Sequence, residues 1–233
     1  GKSIEDMVDG NQTMEEIYGI TLEALQVADA EGAVPVGKIT QTLSRDYTLG
    51  EYVDGKWQKG TTGAANNRDG ESPMGTLVGN MLRDGQMATL PVAPDFGVTN
   101  PGGLRTDFEY GADGTITVAG ARAVLPFNNN LSVAQMTGEQ IVKMLEQQWQ
   151  RDATGAVPSR SYLQLGLSDN ISYTYHEYTD PAHPDFKLGV IDSVTLDGKA
   201  LEMDQTYNVG TFEFLAAGGD NFFAFRDATV IDT

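Results

Sequence analysis

The spacing of hydrophobic residues predicts three amphipathic helices. Apolar side chains recur at mostly helical intervals after Thr13, which begins a Thr-Met-Glu-Glu capping box, so a helix is expected over about residues 13–31. Ser72 is a preferred N-cap residue and is followed by proline, which favours the first helical position. Thr137 begins a second capping box, Thr-Gly-Glu-Gln, and an apolar stripe of helical period follows it. A helix is therefore expected after each of these three residues.

Short apolar runs between turn signals predict strands. The expected strands lie at 96–99, 115–118, 129–136, 171–175, 190–196 and 206–212. Because helices and strands are mixed without strict strand-helix-strand alternation, the pattern favours an α+β fold. We expect a single compact domain with a mixed sheet and flanking helices over residues 36–233, preceded by an N-terminal helical arm over residues 1–35. The polar, turn-rich stretch from Ala33 to Gly70 is expected to be an arm or linker.

Composition excludes several classes of protein. The chain has no cysteine, which excludes disulfides, thiolate catalysis and iron–sulfur clusters. Its two histidines, His176 and His183, are too few for a histidine-rich metal centre. No apolar run approaches the roughly 20 residues of a membrane span. With 33 acidic and 15 basic residues the net charge is −18, so nucleic acid and anionic membranes are not expected partners, and any phosphate group has to meet local arginines.

Three segments concentrate groups that can bind a ligand. Asn-Pro-Gly-Gly-Leu-Arg at 100–105 pairs an arginine with glycines that allow close backbone approach, and Leu-Pro-Phe-Asn-Asn-Asn at 125–130 sets an aromatic ring beside three amides. The segment 212–223 contains aromatics, a second Gly-Gly turn and an aspartate. Taken singly, each is better explained as an ordinary structural turn. Together they supply aromatic faces, an amide and a carboxylate, which proteins use to bind nucleosides; stacking alone contributes about 1–3 kcal/mol per base.

Four motifs, in this order and at these separations, resemble the C-terminal domain of 5'-nucleotidases. They are Arg68-Asp-Gly-Glu-Ser-Pro-Met-Gly75, Asn100-Pro-Gly-Gly-Leu-Arg105, Leu125-Pro-Phe127 and Phe214-Leu-Ala-Ala-Gly-Gly-Asp220. That family includes UDP-sugar hydrolases and 2',3'-cyclic nucleotide phosphodiesterases, and the resemblance runs from about Val36 to the end of the chain. It implies that this domain binds the nucleoside. A separate N-terminal metallophosphatase domain, absent from this chain, would hold two divalent metal ions and perform the hydrolysis.

The resemblance implies seven substrate-binding residues, and no catalytic residue, metal ligand or cofactor in this chain. The seven are Arg68, Asn100, Arg105, Phe127, Asn129, Phe214 and Asp220. By what it implies, the two phenylalanines form the faces of a clamp for the base, Asn100 bonds the base edge, and Asp220 takes the ribose hydroxyls. The two arginines match those that line the ribose and phosphate side, and Asn129 matches a position that is asparagine in some members.

The chain departs from the family pattern at two positions beside the expected clamp. Pro101 replaces a glycine, which removes an N–H donor and fixes φ. Asn128 stands where the family commonly has the glycine of Pro-Phe-Gly, which adds bulk beside the clamp. The backbone contacts and the preferred base are expected to differ accordingly.

The leading hypothesis is a nucleoside- or nucleotide-recognition domain of a secreted or surface-attached bacterial 5'-nucleotidase. Its expected partners are AMP- or adenosine-like ligands and the metallophosphatase domain of the same polypeptide. The chain begins Gly-Lys-Ser-Ile without an initiator methionine, so we expect a piece of a longer enzyme that is inactive alone. Two alternatives stay open: a non-catalytic surface interaction module on the same scaffold, and an independent enzyme that uses carboxylates alone.

Overall fold

A computed structural model describes residues 3–45, 50–53, 56–59, 68–85 and 92–232. Residues 46–49, 54–55 and 60–67, which belong to the stretch predicted as an arm or linker at 33–70, lie outside the described residues. The helices are α1 (Ile4–Val8), α2 (Gln12–Gly32), α3 (Pro73–Asp84), α4 (Val118–Val124), α5 (Gly138–Glu146) and α6 (Glu213–Ala216). The strands are β1 (Pro35–Lys38), β2 (Gly50–Val53), β3 (Lys56–Lys59), β4 (Phe96–Thr99), β5 (Thr115–Thr117), β6 (Leu131–Thr137), β7 (Gly166–Leu167), β8 (Ile171–Thr179), β9 (Lys187–Leu196), β10 (Lys199–Ala200), β11 (Thr206–Phe212) and β12 (Thr229–Asp232).

The largest sheet has five strands in the order β12-β6-β11-β4-β7. Strands β11 and β4 run parallel, and the other neighbours are antiparallel. A second sheet, β10-β9-β8, is antiparallel throughout, with the hairpin turn at Asp197-Gly198 between β9 and β10. Both turn residues have positive φ, 50° and 73°, as such a tight turn requires. The predicted α+β class with a mixed sheet and flanking helices is therefore confirmed.

The N-termini of the three predicted helices are fixed by side chains that accept backbone hydrogen bonds. Ser72 caps α3 by accepting from the Gly75 N–H, and Thr137 caps α5 in a complete capping box, as predicted. The helix expected at 13–31 is also present, but its predicted cap is wrong. Asn11 is the N-cap residue of α2, because its side chain accepts a hydrogen bond from the Met14 N–H. This cap lies two residues before Thr13, the expected one.

The two faces of the five-stranded sheet are buried differently because successive strand residues point to opposite sides. Phe96 and Val98 of β4 join the main hydrophobic cluster with Met144 and Leu145 of α5. Gly97, between them, faces the backbone of α3, where a Cβ atom would overlap the carbonyl oxygen of Gly79. Glycine at position 97 therefore lets α3 approach the sheet closely.

The chain divides into two compact units. One holds the described residues up to Thr40 together with Tyr110–Ala123, and the other holds the rest. In the first unit β1 pairs antiparallel with β5, and the Val118 N–H donates to the Val34 carbonyl. The predicted boundary at residue 35 between arm and domain stays a prediction.

Helix α2 is unusual in exposing most of its apolar side chains. Its large hydrophobic residues that are 41–68% exposed are Met14, Ile17, Ile20, Leu22, Leu25 and Val27. Gly32 is its buried residue. Within the described part of the chain, no helix combines the length and the hydropathy that a membrane span needs.

Candidate functional site

A cavity of about 350 Å³ collects all seven residues that the sequence predicted for substrate binding. Its lining consists of Arg68, Asn100, Gly102, Gly103, Arg105, Phe127, Asn129, Phe214 and Asp220. Its volume is at the lower end of the range for ligand pockets, about 300–1,000 Å³. Side chains separated by up to 152 positions in the sequence thus share one concave surface, while their individual roles stay predictions.

Strand pairing explains why these distant segments meet. Phe212, the last residue of β11, pairs with Leu131, the first residue of β6, so the segments that carry Phe127 and Phe214 leave the sheet side by side. Because β11 and β4 run parallel, the end of β4 lies at the same edge and places Asn100 there. The site is therefore built on the ends of three neighbouring strands.

Two aromatic side chains are exposed at the cavity. Phe127 is 56% exposed and Phe214 is 43% exposed, which is high for a residue that usually avoids water. Gly219 lies against the ring of Phe214, where a Cβ atom would come within 2.5 Å of two ring atoms. The guanidinium carbon of Arg105 lies 5.7 Å from the centroid of the Phe127 ring, within range of a cation–π interaction. Both rings are thus exposed at the cavity, and each is in contact with a neighbouring residue.

A direct hydrogen bond joins Asn100 to Asp220. The Asn100 side chain is buried, and its Nδ2 donates to Oδ2 of Asp220 at 2.6 Å. The two residues that the resemblance assigned to the base edge and to the ribose are therefore immediate neighbours. The carboxylate of Asp220 is held in one orientation by this contact.

The positively charged side chain of Arg68 lies near that carboxylate. Burial, followed by the nearby guanidinium of Arg160, lowers the pKa of the Arg68 side chain, and the carboxylate of Asp220 opposes this shift. A Cβ atom on Gly102 would lie 2.9 Å from Nη1 of Arg68 and 3.2 Å from Oδ2 of Asp220. A glycine at this position therefore allows both charged groups to lie against the loop that contains it.

Arg45 and Asp107 brace this loop and were missed by the sequence analysis. Nη1 of Arg45 donates to the carbonyl oxygen of Arg105 at 2.6 Å and to that of Leu104 at 3.4 Å. Its Nε donates to Oδ1 of Asp107 at 2.9 Å, and the Asp107 side chain is 5% exposed. The pair lies about 60 positions apart in polar sequence, so no local pattern could have indicated it.

The backbone conformation at the two departures from the family pattern suits the residues found there. Pro101 is the first residue of a 3-10 turn, Pro101–Gly103, a position where the missing N–H costs little. Asn128 has φ of 53°, in the left-handed region that glycine and asparagine tolerate better than other residues. Asparagine at this position therefore fits a left-handed backbone conformation that glycine also adopts.

Replacing Asn128 tests this interpretation through stability. Asn128→Gly is expected to leave the free energy of unfolding nearly unchanged, because glycine adopts positive φ freely. Asn128→Val is expected to lower it by about 1–2 kcal/mol, since a β-branched residue is strained in the left-handed region. Urea denaturation measures both values, and equal stability of the two variants would contradict the backbone explanation.

The histidines of the chain are paired with carboxylates away from this cavity. Nδ1 of His176 lies 2.8 Å from Oδ1 of Asp192, and Nδ1 of His183 lies 2.9 Å from Oδ2 of Asp180. A hydrogen bond from Arg151 holds the pKa of Asp180 well below its usual range. Among the described residues no three His, Asp or Glu side chains are grouped to bind a metal ion. The described residues therefore do not fit a metal centre.

Comparison with known proteins gives the same family over most of the chain. The model of the 5'-nucleotidase C-terminal domain matches residues 50–227. A cell wall protein of Listeria monocytogenes is 37% identical over 160 residues, which is 66% of this chain and 19% of that protein. A trifunctional nucleotide phosphoesterase of Bacillus subtilis is 34% identical over 158 residues, which is 66% of this chain and 10% of that protein. The chain thus matches a fifth or less of the length of these curated relatives.

The fold is also found in solved structures. A 5'-nucleotidase precursor from Thermus thermophilus superposes with a TM-score of 0.63 at 21% identity, covering 96% of this chain and 38% of that one. At this level of identity the likeness concerns the fold alone. Because the family model matches well over half of the residues, this chain belongs to the family of 5'-nucleotidase C-terminal domains.

Proposed function

We propose that this chain is the nucleoside- or nucleotide-recognition domain of a bacterial 5'-nucleotidase. The observation that carries the proposal is the single cavity in which two exposed phenylalanines face a carboxylate and two guanidinium groups. In a chain of net charge −18, a local pair of arginines is the combination that an anionic ligand requires. Membership of the family supports the same assignment.

In this proposal each group of side chains binds one part of the ligand. The base stacks between Phe127 and Phe214, whose exposed rings become buried on binding. Asp220 accepts hydrogen bonds from the ribose hydroxyls, since an ionised carboxylate is an acceptor only. Arg68 and Arg105 donate to the phosphate as planar forks. The side-chain amides of Asn100 and Asn129 bond the edge of the base.

Hydrolysis is assigned to another part of the parent protein. We propose that an N-terminal metallophosphatase domain holds two divalent metal ions and receives the nucleotide that this domain binds. Support comes from the short share of the curated relatives that this chain matches. A location outside the cell or at its wall is proposed in view of the Listeria relative described as a cell wall protein.

Calorimetric titration with adenosine and with AMP tests the proposal. Wild type is expected to bind both, and Phe127→Ala is expected to weaken binding about 5- to 160-fold, because stacking contributes about 1–3 kcal/mol per base. Since Phe127 is exposed, its removal is expected to leave stability almost unchanged. A control substitution of another exposed aromatic, Tyr178→Ala, should not affect binding.

The same titration distinguishes the alternative. If neither ligand releases heat at millimolar concentration and wild type behaves like Phe127→Ala, recognition of nucleosides is wrong. A non-catalytic surface interaction module on the family scaffold would then be favoured.

A further inference from the structure

The turn that carries Asp220 has an unfavourable backbone conformation. Asp220 has φ of 50° and the next residue, Asn221, has φ of 61°, after Gly218 with φ of 80°. Two successive residues with side chains in the left-handed region are costly, and such a conformation persists only where the surroundings hold it. Strain of this kind at a proposed ligand-binding carboxylate raises the question of which residues hold the turn.

Two glutamines that follow α5 in the sequence hold this turn by hydrogen bonds. Nδ2 of Asn221 donates to Oε1 of Gln150 at 2.9 Å, and the Ala224 N–H donates to Oε1 of Gln147 at 2.9 Å. Gln150 is 1% exposed, and its own Nε2 donates to the Gln147 carbonyl at 2.8 Å. Its position is therefore fixed by the body of the domain.

The carboxylate at the top of the turn is fixed from a second direction. Nδ2 of the buried Asn100 donates to Oδ2 of Asp220 at 2.6 Å. The bond from Asn221 to Gln150 ties the residue that follows Asp220 to the body of the domain, and the bond from Asn100 holds the carboxylate directly. A carboxylate held directly, on a turn that is itself held, is preorganised for hydroxyl groups whose positions are set by a stacked base.

We propose that Asn221 and Gln150 are positioning residues that set the preference of the site for ribonucleosides over sugars without hydroxyl groups. They act through Asp220 and do not themselves line the cavity. This inference rests on the proposed function, and it assigns roles to two residues outside the motif positions that carry the resemblance. If the turn relaxes, the carboxylate moves away from the hydroxyl groups, while stacking of the base is unaffected.

Asn221→Gly is the informative variant. Glycine adopts positive φ without strain, so the turn is retained while the amide that reaches Gln150 is removed. Dissociation constants for adenosine and for 2',3'-dideoxyadenosine are measured by calorimetry. The variant is expected to bind adenosine about 2- to 10-fold more weakly, as the loss of favourable hydrogen bonding implies. Binding of the dideoxynucleoside is expected to change less than about twofold. The ratio of the dissociation constant for the dideoxynucleoside to that for adenosine therefore falls.

Two further variants separate positioning from a general loss of structure. Gln150→Met removes the acceptor from the other partner and is expected to lower the same ratio, with the double variant no worse than either single one. Asp197→Gly is the matched control, because Asp197 also has φ of 50° and accepts from a side-chain amide, that of Asn170, but in the β9–β10 hairpin. It is expected to leave the ratio unchanged.

Each outcome decides between the two levels of the proposal. An unchanged ratio in Asn221→Gly, or an equal loss for both ligands, overturns the positioning role while nucleoside recognition stands. An effect of Asn221→Gly that persists in an Asp220→Ala background also overturns it. Absence of adenosine binding by wild type overturns the proposed function, and the inference falls with it.

Discussion

Gly97→Ala is expected to lower the free energy of unfolding by about 3 kcal/mol, the upper end of the usual cost of overpacking. A methyl group at this position would overlap the carbonyl oxygen of Gly79 and lie 2.9 Å from the backbone nitrogen of Arg83. Both contacts are backbone atoms of α3, so a rotamer change cannot relieve them. The helix has to move away from the sheet, which also separates Met74, Val78 and Leu82 from their cluster.

A second strand glycine provides the control for this effect. Gly37 in β1 has no atom within 4 Å of an added Cβ, so Gly37→Ala removes the same backbone freedom without a clash. It is expected to leave stability unchanged or to raise it by about 0.4–1 kcal/mol. Urea unfolding followed by tryptophan fluorescence compares the two variants. Equal midpoints and slopes would show that the approach of α3 to β4 does not limit stability.

Local elements of the fold could be predicted from the sequence because their determinants lie within a few residues. The caps at Ser72 and Thr137 are bonds over three positions, and Asp197-Gly198 defines a tight turn by itself. The cap of α2 was misplaced because Thr13 and Asn11 are both good N-cap residues two positions apart, and propensity alone does not choose between them.

The arrangement of those elements could not be predicted in the same way. The parallel pairing of β11 with β4 joins residues more than 110 positions apart, and no periodicity encodes which strands become neighbours. Contacts such as Arg45 with the Arg105 carbonyl depend on that arrangement, as does the bond from Asn221 to Gln150. The seven residues that line the cavity were predicted only because their motifs resemble a family, and their convergence on one cavity is a property of the strand order.

Asn128 is an example of a departure from a motif that can be interpreted only with the backbone conformation at that position. From the sequence, an asparagine in place of glycine implied added bulk beside the clamp. The φ value of 53° lies in the left-handed region, which glycine and asparagine both adopt. A departure from a motif therefore need not alter the conformation when the new residue shares the required region of φ and ψ.

Asp220→Ala is expected to produce the largest loss of ligand binding. In the proposed site the carboxylate accepts two ribose hydroxyls, and hydrogen bonds to a charged group contribute about 1.5–3 kcal/mol each. The substitution also leaves the buried Nδ2 of Asn100 without its acceptor. A loss of at least 3 kcal/mol corresponds to a dissociation constant for adenosine raised about 100-fold or more. For 2',3'-dideoxyadenosine, which has no ribose hydroxyls, the loss is expected to stay below about tenfold.

Asp220→Asn separates the charge of this residue from its geometry. Asparagine tolerates the left-handed conformation and keeps an oxygen for the Nδ2 of Asn100, so the turn is expected to remain folded. Only the charge and one acceptor are lost, and adenosine binding is expected to fall about tenfold, between wild type and Asp220→Ala. Calorimetry with both nucleosides gives the dissociation constant of each variant relative to wild type for each ligand. Equal losses for adenosine and the dideoxynucleoside in both variants would contradict the proposed contact between Asp220 and the ribose hydroxyls. The carboxylate would then have only a structural role beside Asn100.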